Sequence, residues 1–269
     1  MTAPLPSLYV PHGAPTFALA PGAAGAALKA QADALPRPRA VVIVSAHWLT
    51  EAATVGTADR LETIHDFHGF PDALYTIRYP ASGCREGAEV IAAALAAAGL
   101  AVQNDRQRGL DHGAWVPLRL MYPDAEVPVI PLSLPRTATP AAAFRLGLAL
   151  APLAQQGFLV IGSGSLTHNL RDFQNAFHDG GTGFGYVRAF ADWFANHLAA
   201  GDVDALLDYR RRAPEAARAQ PSEEHLLPLF VALGAGGPGA QARRFHSGID
   251  DYVIAMDAYA FHPSPGERQ

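Results

Sequence analysis

The sequence predicts an α/β fold: a single-domain sandwich with a central mixed, largely parallel sheet and helices on both faces. Short apolar, β-branched runs alternate with longer helical patterns, the order that strands joined by covering helices produce. One run, Val41-Val42-Ile43-Val44, is continuously apolar, as a strand buried on both faces is. No internal repeat is visible, and the Gly/Pro-rich stretches at 20–25, 180–185 and 234–239 read as surface loops rather than linkers. One domain is therefore expected over residues 1–269.

The elements follow in order. Leu8-Tyr9-Val10 is a brief strand, and the run at 41–44 is the second. Residues 85–98 read as a helix stopped by Gly99, because glycine takes the left-handed conformation that ends helices at little cost. Val127-Pro128-Val129-Ile130 and Phe158-Leu159-Val160-Ile161 are further strands, with a helix from about Pro140 to Gln155 between them. Tyr186 to Ala199 is amphipathic and ends at Gly201. After Pro221, Ser222 is a good N-cap, and Glu223 and Glu224 suit the positive end of a helix running to about Gly234. The tail holds one more strand-like run, Tyr252-Val253-Ile254-Ala255-Met256.

Composition narrows the partners. With 49% hydrophobic and 17% charged residues the chain is globular, and a chain this long removes roughly 70–75% of its unfolded surface from water. A net charge of −5 makes no electrostatic case for nucleic acid or an anionic membrane, and Arg210-Arg211-Arg212 reads as a solvated helix face. The single cysteine, Cys84, excludes an internal disulfide and a cysteine-based zinc cluster, and suits a reducing compartment. The N-terminus lacks the basic and apolar regions of a signal peptide. The alanine-rich stretch at 91–99 is too short for a transmembrane helix, which needs about 20 apolar residues. A cytoplasmic protein is expected, and nothing in the sequence specifies an oligomer.

The 11 histidines matter by position. His12 follows Leu8-Tyr9-Val10-Pro11, His47 follows Val41-Val42-Ile43-Val44-Ser45-Ala46, and His168 lies a short turn beyond Phe158-Leu159-Val160-Ile161. All three sit past the carboxyl ends of strands, the edge that carries the ligand crevice of an open α/β sheet. Gly13, Gly162 and Gly164 would let backbone approach a ligand closely. His225, in the first turn of its helix, could close the site from another side. Any one of them taken singly is more often a hydrogen-bonded structural residue; three at equivalent strand ends favour a shared metal or catalytic role. Imidazole suits Zn and Fe alike. Gly162-Ser163-Gly164-Ser165 lacks the glycine and lysine positions of the phosphate-binding loops and the spacing of a nucleophile elbow.

Several segments together carry a family resemblance. They are Val10-Pro11-His12-Gly13-Ala14-Pro15, Val44-Ser45-Ala46-His47-Trp48, Thr63-Ile64-His65-Asp66-Phe67-His68-Gly69-Phe70-Pro71, Gly109-Leu110-Asp111-His112-Gly113-Ala114-Trp115, Met121-Tyr122-Pro123-Asp124-Ala125, Gly162-Ser163-Gly164-Ser165-Leu166-Thr167-His168-Asn169 and Glu224-His225-Leu226-Leu227-Pro228. In this order the chain resembles the class III extradiol ring-cleaving dioxygenases, in their DOPA 4,5-dioxygenase branch, from residue 10 to about 233. The resemblance implies a single catalytic α/β domain with a mononuclear metal, a catechol-type substrate and O2. It matches His12 and His47 to two metal ligands, His225 to the third, and His168 to the acid–base histidine, with coordination by His168 as a second possibility. The wider class completes its site with a carboxylate. Here Glu224 stands beside His225, and His225 is expected to be the ligand with Glu224 orienting it.

Fe(II) is the expected working metal, and Zn(II) would fit the same all-histidine set. His168 would take a phenolic proton and later return one, leading to a ring-opened semialdehyde acid. His112 is the next catalytic candidate, as a donor to oxygen with Asp111 fixing its tautomer, or else a helix-capping residue. His65 and His68 are candidates for the mouth of the site, and Trp48, Phe67, Phe70 and Tyr75 for an apolar wall. His178, His197, His246 and His262 read as surface or structural residues. The alternatives are a zinc hydrolase using a metal-bound water, and a non-catalytic protein with a closed structural metal site.

Overall fold

The computed structural model describes residues 4–178 and 184–264, apart from the side chains at 177 and 178. Its strands are β1 Ser7–Pro11, β2 Ala40–Thr50, β3 Ala53–Gly56, β4 Val102–Asp105, β5 Val129–Pro135, β6 Phe158–Gly164, β7 Gln241–His246, β8 Ile249–Asp250, β9 Ile254–Ala255 and β10 Ala258–His262. Its α-helices are α1 Gly22–Asp33, α2 Asp72–Thr76, α3 Arg85–Ala97, α4 His112–Met121, α5 Pro140–Leu150, α6 Leu170–His178, α7 Gly185–Ala200, α8 Val203–Leu207, α9 Tyr209–Arg212, α10 Ala216–Ala219 and α11 Leu227–Ala235.

Eight strands form one sheet in the order β4-β3-β5-β2-β6-β1-β10-β7. The middle four, β5, β2, β6 and β1, run parallel. The two strands beyond β1 are antiparallel. At the other end β3 opposes β5 while β4 runs parallel to β3. The mixed, mostly parallel α/β architecture expected from the sequence is therefore present. Val41, Val42 and Val44 are fully buried, as a central strand requires.

Helices cover both faces, and β6 shows it within two residues. A side chain on Gly162 would meet the carbonyl of Pro228 on α11, whereas the hydroxyl of the next residue, Ser163, donates to the carbonyl of Gly113 on α4. Successive strand residues point to opposite faces, so α11 and α4 lie on opposite sides of the sheet. All nine residues of α11 are buried, which explains its apolar character all round.

Several elements differ from the sequence reading. β2 does not stop at Val44 but continues to Thr50, and its pairing with β5 jumps from Val44↔Leu132 to Leu49↔Leu134. Five residues of β2 thus advance against two of β5, a bulge of the kind that re-aims side chains at functional edges. His47 lies inside this bulge rather than beyond the strand. β5 begins at Val129, not 127. Ser222 does not cap a helix: its hydroxyl donates to Glu224 Oε1, residues 222–226 form turns, and α11 starts at Leu227 with Pro228 in its first turn. The run at 252–256 is a turn followed by the two-residue β9, with Asp251 and Tyr252 at φ +48 and +64. Of the expected loops, 22–25 belongs to α1 and 234–235 to α11; 180–183 and the His178 side chain lie outside the described residues. No helix among the described residues is long and apolar enough to cross a membrane.

Candidate metal and active site

Five histidines converge on one cleft at the carboxyl edge of the parallel strands: His12, His47, His112, His168 and His225 line a cavity of about 360 Å³. His12 follows β1 directly and is 2% exposed. Its Nδ1 lies 3.0 Å from Ser163 Oγ, whose own proton goes to Gly113 O. Ser163 must therefore accept from His12 Nδ1–H, and that tautomer leaves His12 Nε2 as a bare lone pair. His47 Nε2 lies 3.1 Å from it.

His225, 4% exposed, is set by the same logic from the opposite face. Its Nδ1 is 3.0 Å from Glu224 Oε1, so the carboxylate holds the proton on Nδ1 and leaves Nε2 free. The turn carrying it lies flat on β6: Ser165 N donates to His225 O, and a Cβ on Gly164 or Gly162 would come within 2.0 Å of His225 O or Pro228 O. These glycines admit the protein's own backbone, not a ligand as the sequence suggested. His168 is anchored through its backbone N–H to Ala219 O, and its ring stacks on His225 at 3.4 Å with an interplanar angle of 10°.

His112 opens α4. Its Nδ1 and backbone N–H both face Asp66 Oδ1, at 3.0 and 2.8 Å, while Asp66 Oδ2 is 3.7 Å from His47 Nδ1. The expected partner of His112, Asp111, has another task. It caps α4 by accepting from Ala114 N, accepts from Ser45 Oγ and pairs with Arg108. Sequence reasoning missed Asp66, although it stood as the one carboxylate in the His65-Asp66-Phe67-His68 run. It also missed Ser163, for which no sequence signal beyond its strand-end position exists.

Electrostatics keep four of the imidazoles, those of His12, His47, His168 and His225, uncharged. Burial, then repulsion from the neighbouring imidazoles, pushes the pKa values of His12 and His225 well below the ordinary value. Burial and His112 lower His47 to about 4 against the pull of nearby carboxylates. His168 also falls to about 4, chiefly through burial. Asp66 runs the other way: burial opposes its ionisation, but the bonds from His112 override this and hold it at about 2. Bare imidazole lone pairs facing each other need a shared proton or a cation, and a cation satisfies all of them at once. The donor set suits a first-row divalent ion.

Two groups of donors lie within 4.8 Å of one another: His12, His47 and His112, and His168, Glu224 and His225. The expected set of His12, His47 and His225 spans both, with the His225 ring 5.4 and 4.9 Å from those of His12 and His47. The structure thus brings every expected site histidine into the cleft and puts His112 as close to His12 and His47 as a ligand would be. Phe67 and Phe70 line the cavity. Trp48 instead packs beneath Arg108, and Tyr75 stands behind Phe67. His65 is turned toward Ile77 O, and neither it nor His68 lines the cavity. His197 pairs with Asp202, and His246 and His262 sit on β7 and β10.

The chain is similar to known proteins over most of its length. A family model described as the catalytic LigB subunit of aromatic ring-opening dioxygenase matches residues 23–255, a span that includes four of the five histidines and begins after His12. The chain is 40% identical to a 4,5-DOPA dioxygenase extradiol of Beta vulgaris over 84% of its own length and 83% of the relative's. It is 35% identical to one of Escherichia coli K12, over 86% and 85%. A crystal structure of an uncharacterized protein from Escherichia coli K12 superposes with a TM-score of 0.71 at 28% identity, covering 95% of this chain and 99% of that one.

Proposed function

The chain belongs to the LigB family of aromatic ring-opening dioxygenases, and within that membership we propose that His12, His47 and His225 hold a working Fe(II) while His168 carries the proton. The enzyme is an extradiol ring-cleaving dioxygenase that is metal-dependent. The observation that carries the ligand assignment is the meeting of His12 Nε2 and His47 Nε2 at 3.1 Å, with both Nδ1–H groups of His12 and His225 committed to Ser163 and Glu224. When bound, the ion lowers the pKa of the catechol hydroxyls and brings the ring and O2 to one centre.

The protein's own groups do the rest. His168 is neutral at pH 7, because its pKa lies near 4, and so stands ready to accept a phenolic proton and return it later. His112, with Nδ1–H held by Asp66, turns its other nitrogen to the cleft as a second polar contact or a further ligand. Phe67, Phe70 and Phe173 give the aromatic ring an apolar wall and exclude water. A cytoplasmic location, for which the lone cysteine speaks, belongs to the same proposal, as does a single domain over the whole chain.

The test is anaerobic loading with iron, then catechol in an oxygen electrode. Uptake of O2 with a new visible absorbance is expected; turnover without O2 would indicate a hydrolase instead. His12→Ala and His47→Ala should each abolish stoichiometric metal, and retention of one ion per chain in either would remove that ligand.

A further inference from the structure

The turn that carries His168 is held from two sides. On one, the 219–225 segment binds its backbone: Ala219 O accepts from His168 N, and the buried side-chain amide of Gln220 donates to Ser165 O at 2.7 Å and to Leu166 O at 2.8 Å. On the other, Thr167 reaches the β8–β9 hairpin. Its hydroxyl donates to Val253 O at 2.7 Å and accepts from Ala255 N at 2.8 Å. We propose that Thr167 is a positioning residue for ring opening: its hydroxyl ties the hairpin that walls one side of the cleft to the turn that carries His168. The proposal rests on the ring-opening reading above and deepens it.

The hairpin needs such a tie. Its strands pair over two residues each, Ile249 with Ala255 and Asp250 with Ile254, and a hairpin that short does not hold its shape alone. It turns through Asp251 and Tyr252 at φ +48 and +64, a conformation that side chains rarely adopt and that persists only where the surroundings impose it. Val253 and Ile254 follow directly, and both line the cavity together with His168. Thr167 bonds the carbonyl of Val253 and the amide just after Ile254, so it grips the backbone of this wall on both sides.

The chemistry of the residue fits the task. Thr167 is fully buried, and a hydroxyl both donates a proton and accepts on its lone pairs, which is what a buried carbonyl and a buried amide require. Valine has the same shape and can do neither; serine does both without the methyl group. Thr167 also directly precedes His168, so a shift of the hairpin passes to the imidazole within one residue. The wall faces the substrate ring and His168 takes the ring's proton, and the tie sets one against the other. Misplacement of a reacting group by about 1 Å can cost about 10²-fold in rate.

The experiment compares Thr167→Val with Thr167→Ser. In iron-loaded protein the valine variant is expected to lose about ten- to a hundredfold in kcat for catechol. One ion per chain, and the affinity of zinc-loaded protein for 4-nitrocatechol under nitrogen, should be retained, the pattern left by removing an interaction made in the transition state. The serine variant should turn over close to wild type. Hydrogen exchange, followed by NMR on zinc-loaded protein, gives a readout without turnover. The Ala255 amide should be protected in wild type and Thr167→Ser and exchange at least about tenfold faster in Thr167→Val. Serine as slow in turnover as valine would assign the effect to the lost methyl and overturn the proposal. So would an unchanged kcat in Thr167→Val, or fast exchange of the Ala255 amide in wild type, which needs no variant to fold. Ring opening absent from wild type, with the exchange pattern as expected, would count against the ring-opening reading while upholding the tie.

Discussion

At the scale of single residues, partners fix which nitrogen is bare on three of the site's imidazoles. Ser163 does this for His12, Glu224 for His225 and Asp66 for His112. Removing such a partner typically costs about 10–100-fold in metal affinity or activity. Asp66→Asn is therefore expected to lower kcat by that factor while one ion per chain remains, and unchanged kcat would show that Asp66 orients nothing of consequence. His168→Gln keeps the size and some hydrogen bonding but cannot carry a proton at neutral pH. A loss of about 10²–10⁴ in turnover is expected with substrate affinity little changed; near-normal turnover would remove it from the proton path. The histidines themselves were legible in the sequence because they follow strands or precede a helix within recognisable motifs. Their partners were less so. Asp111, adjacent in sequence, looked like the partner of His112, but its side chain is taken up by the helix N-terminus and Ser45, and only the path of the chain puts Asp66 there instead.

At the scale of elements, the cleft depends on two local departures from regular structure. The bulge in β2 carries His47 toward His12, and the side-chain-free positions at 162 and 164 let the 225–228 segment lie against β6. Gly162→Ala would force a carbon within 2.0 Å of Pro228 O, displacing the start of α11 and His225 with it. Destabilisation of about 1–3 kcal/mol is expected from the overpacking, together with weaker metal retention; urea unfolding and metal analysis check both, and wild-type values in both would refute the close approach. Apolar runs announced the central strands, since burial on both faces leaves that mark. β3, β4, β7 and β10 went unread because they are short or, like β4 and β7, largely polar and exposed at the sheet's ends, where no periodicity survives. The bulge was invisible for a different reason: its residues read equally well as the loop after a strand.

At the scale of the whole molecule, the cluster couples folding to protonation. His12, His47, His168 and His225 all have native pKa values below the ordinary 6.5, two of them near 4. The unfolded chain therefore binds more protons than the native one as pH falls from about 6.5 towards 4. Stability from these groups is complete above 6.5 and drains away through that window. Asp257 acts oppositely, since burial raises its carboxyl to about 6 despite Arg244, and its contribution is lost as pH rises from about 4 to 6. Four histidines outweigh one carboxyl, so the metal-free protein should lose Tm steadily on acidification from pH 7 to 5. Added zinc should raise Tm at pH 7 and progressively less at pH 5, because ligand deprotonation is part of binding. A flat Tm over this range would mean that the imidazoles are not buried together. The architecture as a whole was legible from strand–helix alternation. The meeting of residues as distant as 12, 47, 112, 168 and 225 was suggested by motif, and its geometry belongs to the fold.

The most direct measurement is anomalous diffraction at the iron edge from crystals of the anaerobically loaded protein. One peak per chain is expected, within about 2.0–2.3 Å of both His12 Nε2 and His47 Nε2, with His225 the nearest further ring. An ion lying elsewhere, or touching only one of that pair, would contradict the account.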